Sequence, residues 1–187
     1  MRVLIIPEDF RKDQYVLKPI FQRLFRQLGR PTAKIVVCQD PLLGGIGEAL
    51  KEERLTEIVR RYEGMTDIFL LCVDRDGETG RRARLDAIEA VFGADRTFLA
   101  ENAWEELETW VLAGLELPNQ WMWADVRAEI AVKDVYFNAL VDQRGISRRP
   151  GGGRKTLGEE AARRIGAIRQ KCPEDFDSLA KRIGDSL

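Results

Sequence analysis

FLLCVDRDGE, at positions 69–78, is the stretch of the chain that decides the fold. Together with Ile68 it contains a continuous apolar run without helical period, which is typical of a strand buried on both faces of a parallel sheet. The run ends at Asp74 and Asp76, which we expect on one face because side chains along a strand alternate with a period of two. Two adjacent carboxylates repel each other unless a proton or cation lies between them, and Mg²⁺ prefers such hard oxygen ligands. The stretch therefore predicts a buried strand that ends in a candidate cation site.

Three further runs with strand character lie on either side of this stretch. They are Val3–Ile6, KIVVC at 34–38 and Thr97–Ala100. The segments between them carry apolar residues at helical spacing, so strands and helices alternate along the chain. This alternation predicts an α/β fold with a parallel sheet flanked by helices.

The character of the chain changes to helical after about residue 102. We expect an α/β domain over 1–110 and a helical extension over 111–187 packed on it. Within the extension, Gly145–Gly158 is rich in glycine and basic residues and is predicted to be an exposed loop.

Glu8 follows the first predicted strand. The carboxyl ends of parallel strands lie at one edge of an open α/β sheet, which is where ligands bind. We therefore expect Glu8 to meet Asp74 and Asp76 there. An isolated D-x-D pair is equally typical of a helix cap, so the third acid from a different strand strengthens the prediction of a metal site.

Composition excludes several classes of chemistry. The chain has no histidine, which rules out Ser-His-Asp and Cys-His catalysis and His-ligated zinc. Its 30 basic and 31 acidic residues give a net charge of −1, so any contact with nucleic acid must be local. The three cysteines have no paired spacing, which favours free thiols and a reducing cytoplasm. No segment is long and apolar enough to predict a membrane span or membrane association.

The order of these elements resembles the Toprim fold, in which a first strand ends in glutamate and a later apolar strand ends in D-x-D-G. The resemblance is carried by LIIPED at 4–9 and FLLCVDRDGE at 69–78 and covers roughly residues 1–110. It implies that Glu8, Asp74 and Asp76 bind Mg²⁺ (or Mn²⁺) for phosphoryl-transfer chemistry. The sequence departs from many Toprim proteins in having Asp9, not glycine, after the glutamate, and Pro7 before it.

The remaining sequence resembles, more narrowly, small stand-alone Toprim-like proteins that accompany an ABC-type ATPase in phage defence. These proteins are similar to the nucleases of the overcoming-lysogenization-defect family. The matching stretches are AENAWEELETW at 100–110, GGGRK at 151–155 and KCPEDFDSLAKRI at 171–183. The resemblance implies Glu105 or Glu108 as a further acidic ligand and Lys155 as a residue that neutralises phosphate.

Basic residues near these motifs are candidates for phosphate contacts. Arg81 and Arg82 begin the helix that follows the acid pair, and Arg149 and Arg154 lie in the glycine-rich segment with Lys155. A solvated helix face or a merely soluble loop explains the same residues. The aromatic pair in WMW at 121–123 suits base stacking, although packing of the extension on the sheet is the favoured interpretation.

The function predicted from the sequence is Mg²⁺-dependent hydrolysis of a phosphodiester bond in DNA or RNA, as the effector of an anti-phage defence system. The alternative is a catalytically silent Toprim-like subunit that binds an ATPase partner. A haloacid-dehalogenase-type phosphatase is a weaker alternative, because DRDGET at 74–79 is similar to its motif but lies on the third predicted strand and not the first. The substrate, the trigger and the oligomeric state stay open.

Overall fold

A four-stranded, entirely parallel sheet forms the centre of the protein. The computed structural model describes residues 1–187, and its strands lie in the order β2-β1-β3-β4. Their bounds are β1 Arg2–Pro7, β2 Lys34–Val37, β3 Ile68–Asp74 and β4 Thr97–Ala103. The α/β fold class predicted from the alternation of strands and helices is therefore confirmed.

Ten α-helices surround and extend this sheet. Those within or directly after the α/β unit are α1 Phe10–Gln27, α2 Ile46–Ala49, α3 Glu52–Tyr62, α4 Arg81–Phe92 and α5 Glu108–Gly114. The remaining helices are α6 Trp123–Ala128, α7 Asn138–Gln143, α8 Arg154–Ala162, α9 Ile165–Lys171 and α10 Ser178–Asp185. Single π-helical turns over Lys133–Phe137 and Pro173–Asp177 lead into α7 and α10. None of the helices is both long and apolar enough to cross a lipid bilayer.

The two faces of the sheet bury two separate hydrophobic clusters. Along β1, Val3 and Ile5 contribute to one cluster while Leu4 and Ile6 contribute to the other. The smaller cluster is covered by α2, α3 and α4, and the larger by α1, α5 and the C-terminal helices. Because both faces are buried, the central strands need continuous apolar sequences, and this requirement explains the run at 68–73.

The C-terminal helices share the larger cluster with the sheet. Trp110 of α5 lies between two aromatic rings, with centroids 6.4 Å from Phe21 of α1 and 5.1 Å from Phe176. All three side chains are fully buried. The C-terminal helices therefore pack against α1 and α5 around common side chains, and the predicted boundary between residues 110 and 111 falls within α5.

The expectation of an exposed loop over Gly145–Gly158 is wrong in its second half. Helix α8 begins at Arg154, and Gly158 within it is buried. A Cβ atom on Gly158 would lie 2.5 Å from the Tyr15 carbonyl oxygen, and one on Gly151 would lie 2.4 Å from the Tyr15 ring. The glycines therefore permit close contact between α8 and α1, a role that glycine content alone cannot distinguish from a flexible loop.

Candidate metal centre

Glu8 and Asp74 meet at the carboxyl edge of the two central strands. The register of β1 and β3 pairs Pro7 with Cys72, so each acid lies one or two residues beyond this pair. Their carboxyl groups are in hydrogen-bond contact. Burial and the Glu8 charge raise the pKa of Asp74 well above its ordinary value, and burial also raises the pKa of Glu8. Without a cation, these shifts favour a proton shared between the two carboxylates.

A hydrogen bond fixes the Asp74 carboxylate, whereas one carboxylate oxygen of Glu8 has no hydrogen-bond partner. The Leu107 backbone N–H donates to Asp74 Oδ1 at 2.7 Å. Glu8 Oε2 is buried and accepts no hydrogen bond. A buried polar oxygen without a partner is costly, and a bound ion is one of the ways in which proteins satisfy it.

Glu108 adds a third buried carboxylate beside the pair. It is the first residue of α5, is 6% exposed, and its charge raises the pKa of both Glu8 and Asp74. Arg154, the first residue of α8, forms a buried ion pair with Glu108 and also donates to the Gly151 carbonyl at 3.1 Å. Arg154 is thus a buried partner of the acidic cluster. The sequence had predicted a surface residue that is free to contact phosphate.

Asp13 is a fourth member of the cluster, which the sequence analysis missed. Its Oδ2 accepts the Asp9 backbone N–H at 3.0 Å. Burial, together with the charges of Glu108 and Glu8, raises its pKa to about 7. Asp13 lies on the apolar stripe that continues through Leu17 and Ile20, and an acid at a core-facing position of a helix is the signal that could have revealed it.

Asp76 does not share a strand face with Asp74. Strand β3 ends at Asp74, and Asp76 lies in the following turn with φ of +54°. Its side chain is 48% exposed and faces Arg81, with Nη2 and Oδ2 3.9 Å apart. The prediction from the strand period was wrong here because the chain turns immediately after Asp74. Asp76 still acts on the site, since its charge raises the pKa of Glu8.

Glu105 stabilises this turn through both its side chain and its backbone carbonyl. Its carboxylate accepts hydrogen bonds from the Arg75 guanidinium at 2.7 Å and from the Gly77 backbone N–H at 2.6 Å. Its carbonyl accepts the N–H groups of Arg75 and Asp76 at 2.8 and 3.1 Å. These contacts occupy the side chain, so of the two glutamates suggested as additional ligands only Glu108 lies beside the pair.

The basic residues predicted near the site divide into bound and free groups. Arg82 donates to Glu101 at 2.8 Å and to the Ala100 carbonyl at 2.8 Å, so it links α4 to β4. Arg81 is buried beside the acids and its charge lowers the pKa of Glu8. Arg149 and Lys155 are exposed. Of these residues, Arg149 and Lys155 are free to move, whereas Arg82 has a structural role.

Two of the acids are positioned to bind a magnesium ion together, but the protein does not supply a complete set of ligands. No group of three or more acidic or thiol side chains is arranged as a ready set of metal ligands. Mg²⁺ commonly binds through one or two carboxylates and keeps waters that substrate phosphate replaces. Glu8 and Asp74 meet this requirement, because they are in contact and one of their buried oxygens has no partner.

Comparison with known proteins adds no relative. No protein-family model matches the chain, and neither a curated protein nor a solved structure does. The chemistry of the site is therefore argued from the carboxylate cluster and its surroundings.

Proposed function

We propose that the chain is a Toprim-type nuclease that hydrolyses phosphodiester bonds with Mg²⁺ or Mn²⁺. The observation that carries the proposal is the contact between Glu8 and Asp74 at the carboxyl edge of the central strands. The raised pKa values of both acids add support, because perturbed carboxylates at a ligand-binding edge are typical of active sites. The proposal also includes a role as the effector of a phage-defence system, in which an ABC-type ATPase releases the nuclease. This part of the proposal rests on the sequence resemblance alone.

In this proposal Glu8 and Asp74 would hold the ion, and Asp76, whose charge acts on Glu8, would add negative charge beside it. A bound Mg²⁺ polarises the phosphoryl oxygens and makes a bound water more acidic. The Leu107 N–H keeps Asp74 oriented toward Glu8. Both acids would have to be deprotonated to hold the ion, so metal binding at this pair would release protons and strengthen as the pH rises. Lys155, exposed in the first turn of α8, is the candidate to neutralise phosphate charge.

The test is cleavage of labelled single-stranded, double-stranded and structured RNA and DNA by the purified protein with Mg²⁺ or Mn²⁺. Glu8→Gln and Asp74→Asn keep the shape of each side chain and remove its charge. Each should lower the cleavage rate by about 100-fold or more, since loss of one electrostatic contributor has this effect in active sites. Glu53→Gln, an exposed acid on α3, is the matched control and should cleave normally. Full activity of both site variants contradicts the proposal.

A second function is favoured by the position of Asp76. Because this acid faces Arg81 and no three acids form a ready ligand set, the chain also suits a silent Toprim-like subunit that binds an ATPase. Calorimetric titration with Mn²⁺ separates the two functions. A nuclease should bind the ion and lose the binding heat in Asp74→Asn, whereas a silent subunit should show no heat that depends on Asp74.

A further inference from the structure

A cleft of about 610 Å³ opens beside the turn that follows Asp74. Its volume lies within the range of small-ligand sites in proteins. The walls combine aromatic, apolar and cationic side chains, among them Arg75, Gly77, Trp104, Trp123, Arg127 and Ile130. Arg75 and Gly77 place the cleft beside the turn that directly follows Asp74 of the candidate metal centre.

The apolar part of the cleft faces solvent. Ile130 is 58% exposed, and Trp104 and Trp123 are each partly exposed. A Cβ atom on Gly77 would lie 3.6 Å from Ile130 Cδ1, so this apolar wall directly contacts the turn. Trp121 packs on Tyr136 with ring centroids 5.0 Å apart, and both Trp121 and Trp123 also pack with part of their surface against the larger hydrophobic cluster. An exposed aromatic surface of this kind is a feature of ligand sites.

The cations of the cleft are held in place by buried acids. The Arg75 guanidinium lies 4.1 Å from the centre of the Trp104 ring and is bound to Glu105. Arg127 lies 5.1 Å from the same ring and donates to Asp175 at 2.8 Å. Two fixed guanidinium groups beside indole rings offer planar surfaces for stacking. Their charges are balanced by Glu105, Glu174 and Asp175.

We infer that this cleft binds one unpaired nucleobase of the strand whose phosphodiester lies at Glu8 and Asp74. The inference rests on the proposed nuclease function and adds to it the class of substrate. The base stacks on Trp123, the planar guanidinium groups of Arg75 and Arg127 form another wall of the cleft, and Ile130 excludes water from its edge. Stacking of this kind tolerates any base sequence, because every base has a π face.

A base can enter the cleft only after it leaves its own stack. Paired bases in a duplex must be flipped out at a cost of a few kcal/mol, whereas bases in loops and single strands are already free. The cleft therefore selects single-stranded segments of RNA or DNA, and both offer the same aromatic base. Substrates with an unpaired base beside the cleaved bond should be preferred over fully paired ones.

The experiment measures binding of fluorescent 12-nucleotide RNA and DNA strands to the Asp74→Asn protein with Mg²⁺ present, so that cleavage does not interfere. Each strand is used intact and with single abasic sites at successive positions. In the otherwise unchanged protein, one abasic position should weaken binding about tenfold, the effect of losing one stacked base. Trp123→Ala should bind intact and abasic strands equally, and Trp123→Phe should restore the difference. Met122→Ala, an exposed neighbour at 64% exposure, is the matched control and should behave as the parent.

A second variant tests the inference in case Trp123→Ala fails to fold. Ala128→Leu fills the cleft from its rim without removing an aromatic ring, and it should abolish the same discrimination while the melting temperature stays unchanged. Abasic discrimination that persists in both Trp123→Ala and Ala128→Leu overturns the inference, and cleavage that depends on Glu8 and Asp74 would then still support the nuclease. Discrimination that depends on Trp123, without any metal-dependent cleavage, supports the base site and contradicts the nuclease. Absence of strand binding overturns the inference.

Discussion

Neutralising Asp13 should remove one contribution to the pH dependence of stability in the metal-free protein, to which Glu101, Asp74 and Glu8 also contribute through their raised pKa values. The pKa of Asp13 is about 7 in the folded chain, against an ordinary value of 3.8. Between these values the folded state binds more protons than the unfolded state, so the free energy of unfolding falls as the pH rises. The contribution of Asp13 to the free energy of unfolding is therefore greatest below about pH 4 and is lost progressively as the pH rises to about 7.

The size of the effect follows from the two pKa values. At 1.36 kcal/mol per pKa unit, ionisation of Asp13 lowers the free energy of unfolding by about 2–3 kcal/mol between pH 5 and pH 8. Asp13→Asn keeps an oxygen acceptor for the Asp9 N–H, which lies 3.0 Å from Oδ2 in the parent. The variant should therefore lose this contribution without losing the local hydrogen bond, and its stability at pH 8 should exceed that of the parent.

The assay is reversible urea unfolding at pH 5, 6, 7 and 8 with EDTA present, which keeps bound cations from compensating the charge. Asp125→Asn, an exposed acid on α6, serves as the control and should follow the parent curve. The reasoning is refuted if Asp13→Asn and the parent lose stability in parallel from pH 5 to pH 8. Parallel curves would mean that the Asp13 carboxyl does not face the buried acids.

Three other changes test the site and the packing around it. At pH 8, Mg²⁺ at about ten times its dissociation constant should stabilise the parent by about 1.4 kcal/mol in thermal melts, and it should not stabilise Asp74→Asn. Asp175→Ala should cost about 3–5 kcal/mol in urea unfolding, because it removes the acceptor of the buried Trp110 Nε1–H and of the Trp104 N–H together with a carboxylate of Arg127. Gly158→Ala should cost about 1–3 kcal/mol, since its Cβ would lie 2.5 Å from the Tyr15 carbonyl oxygen, and a wild-type melting temperature would contradict the close packing of α1 and α8.

The strands and the position of the acid pair could be predicted from the sequence because their causes are local or topological. A strand buried on both faces must be apolar throughout, so the run before Asp74 specifies a central strand without knowledge of its neighbours. Parallel strands joined by helices end at one edge, and this rule placed Glu8 near Asp74 from their positions alone.

The rest of the site depends on contacts between residues that are far apart in the chain. Glu105 holds the turn after β3 and directs Asp76 outward, although it lies in a loop after β4. Arg154 reaches Glu108 only because α8 packs on α5, so a residue that the sequence assigns to an exposed loop becomes a buried ion-pair partner. Periodicity reports which side chains are buried, whereas the hydrogen bonds and ion pairs that orient charged groups form only when separate elements meet. The sequence by itself therefore determined the sheet and its acidic edge, and the tertiary structure decided which acids face each other.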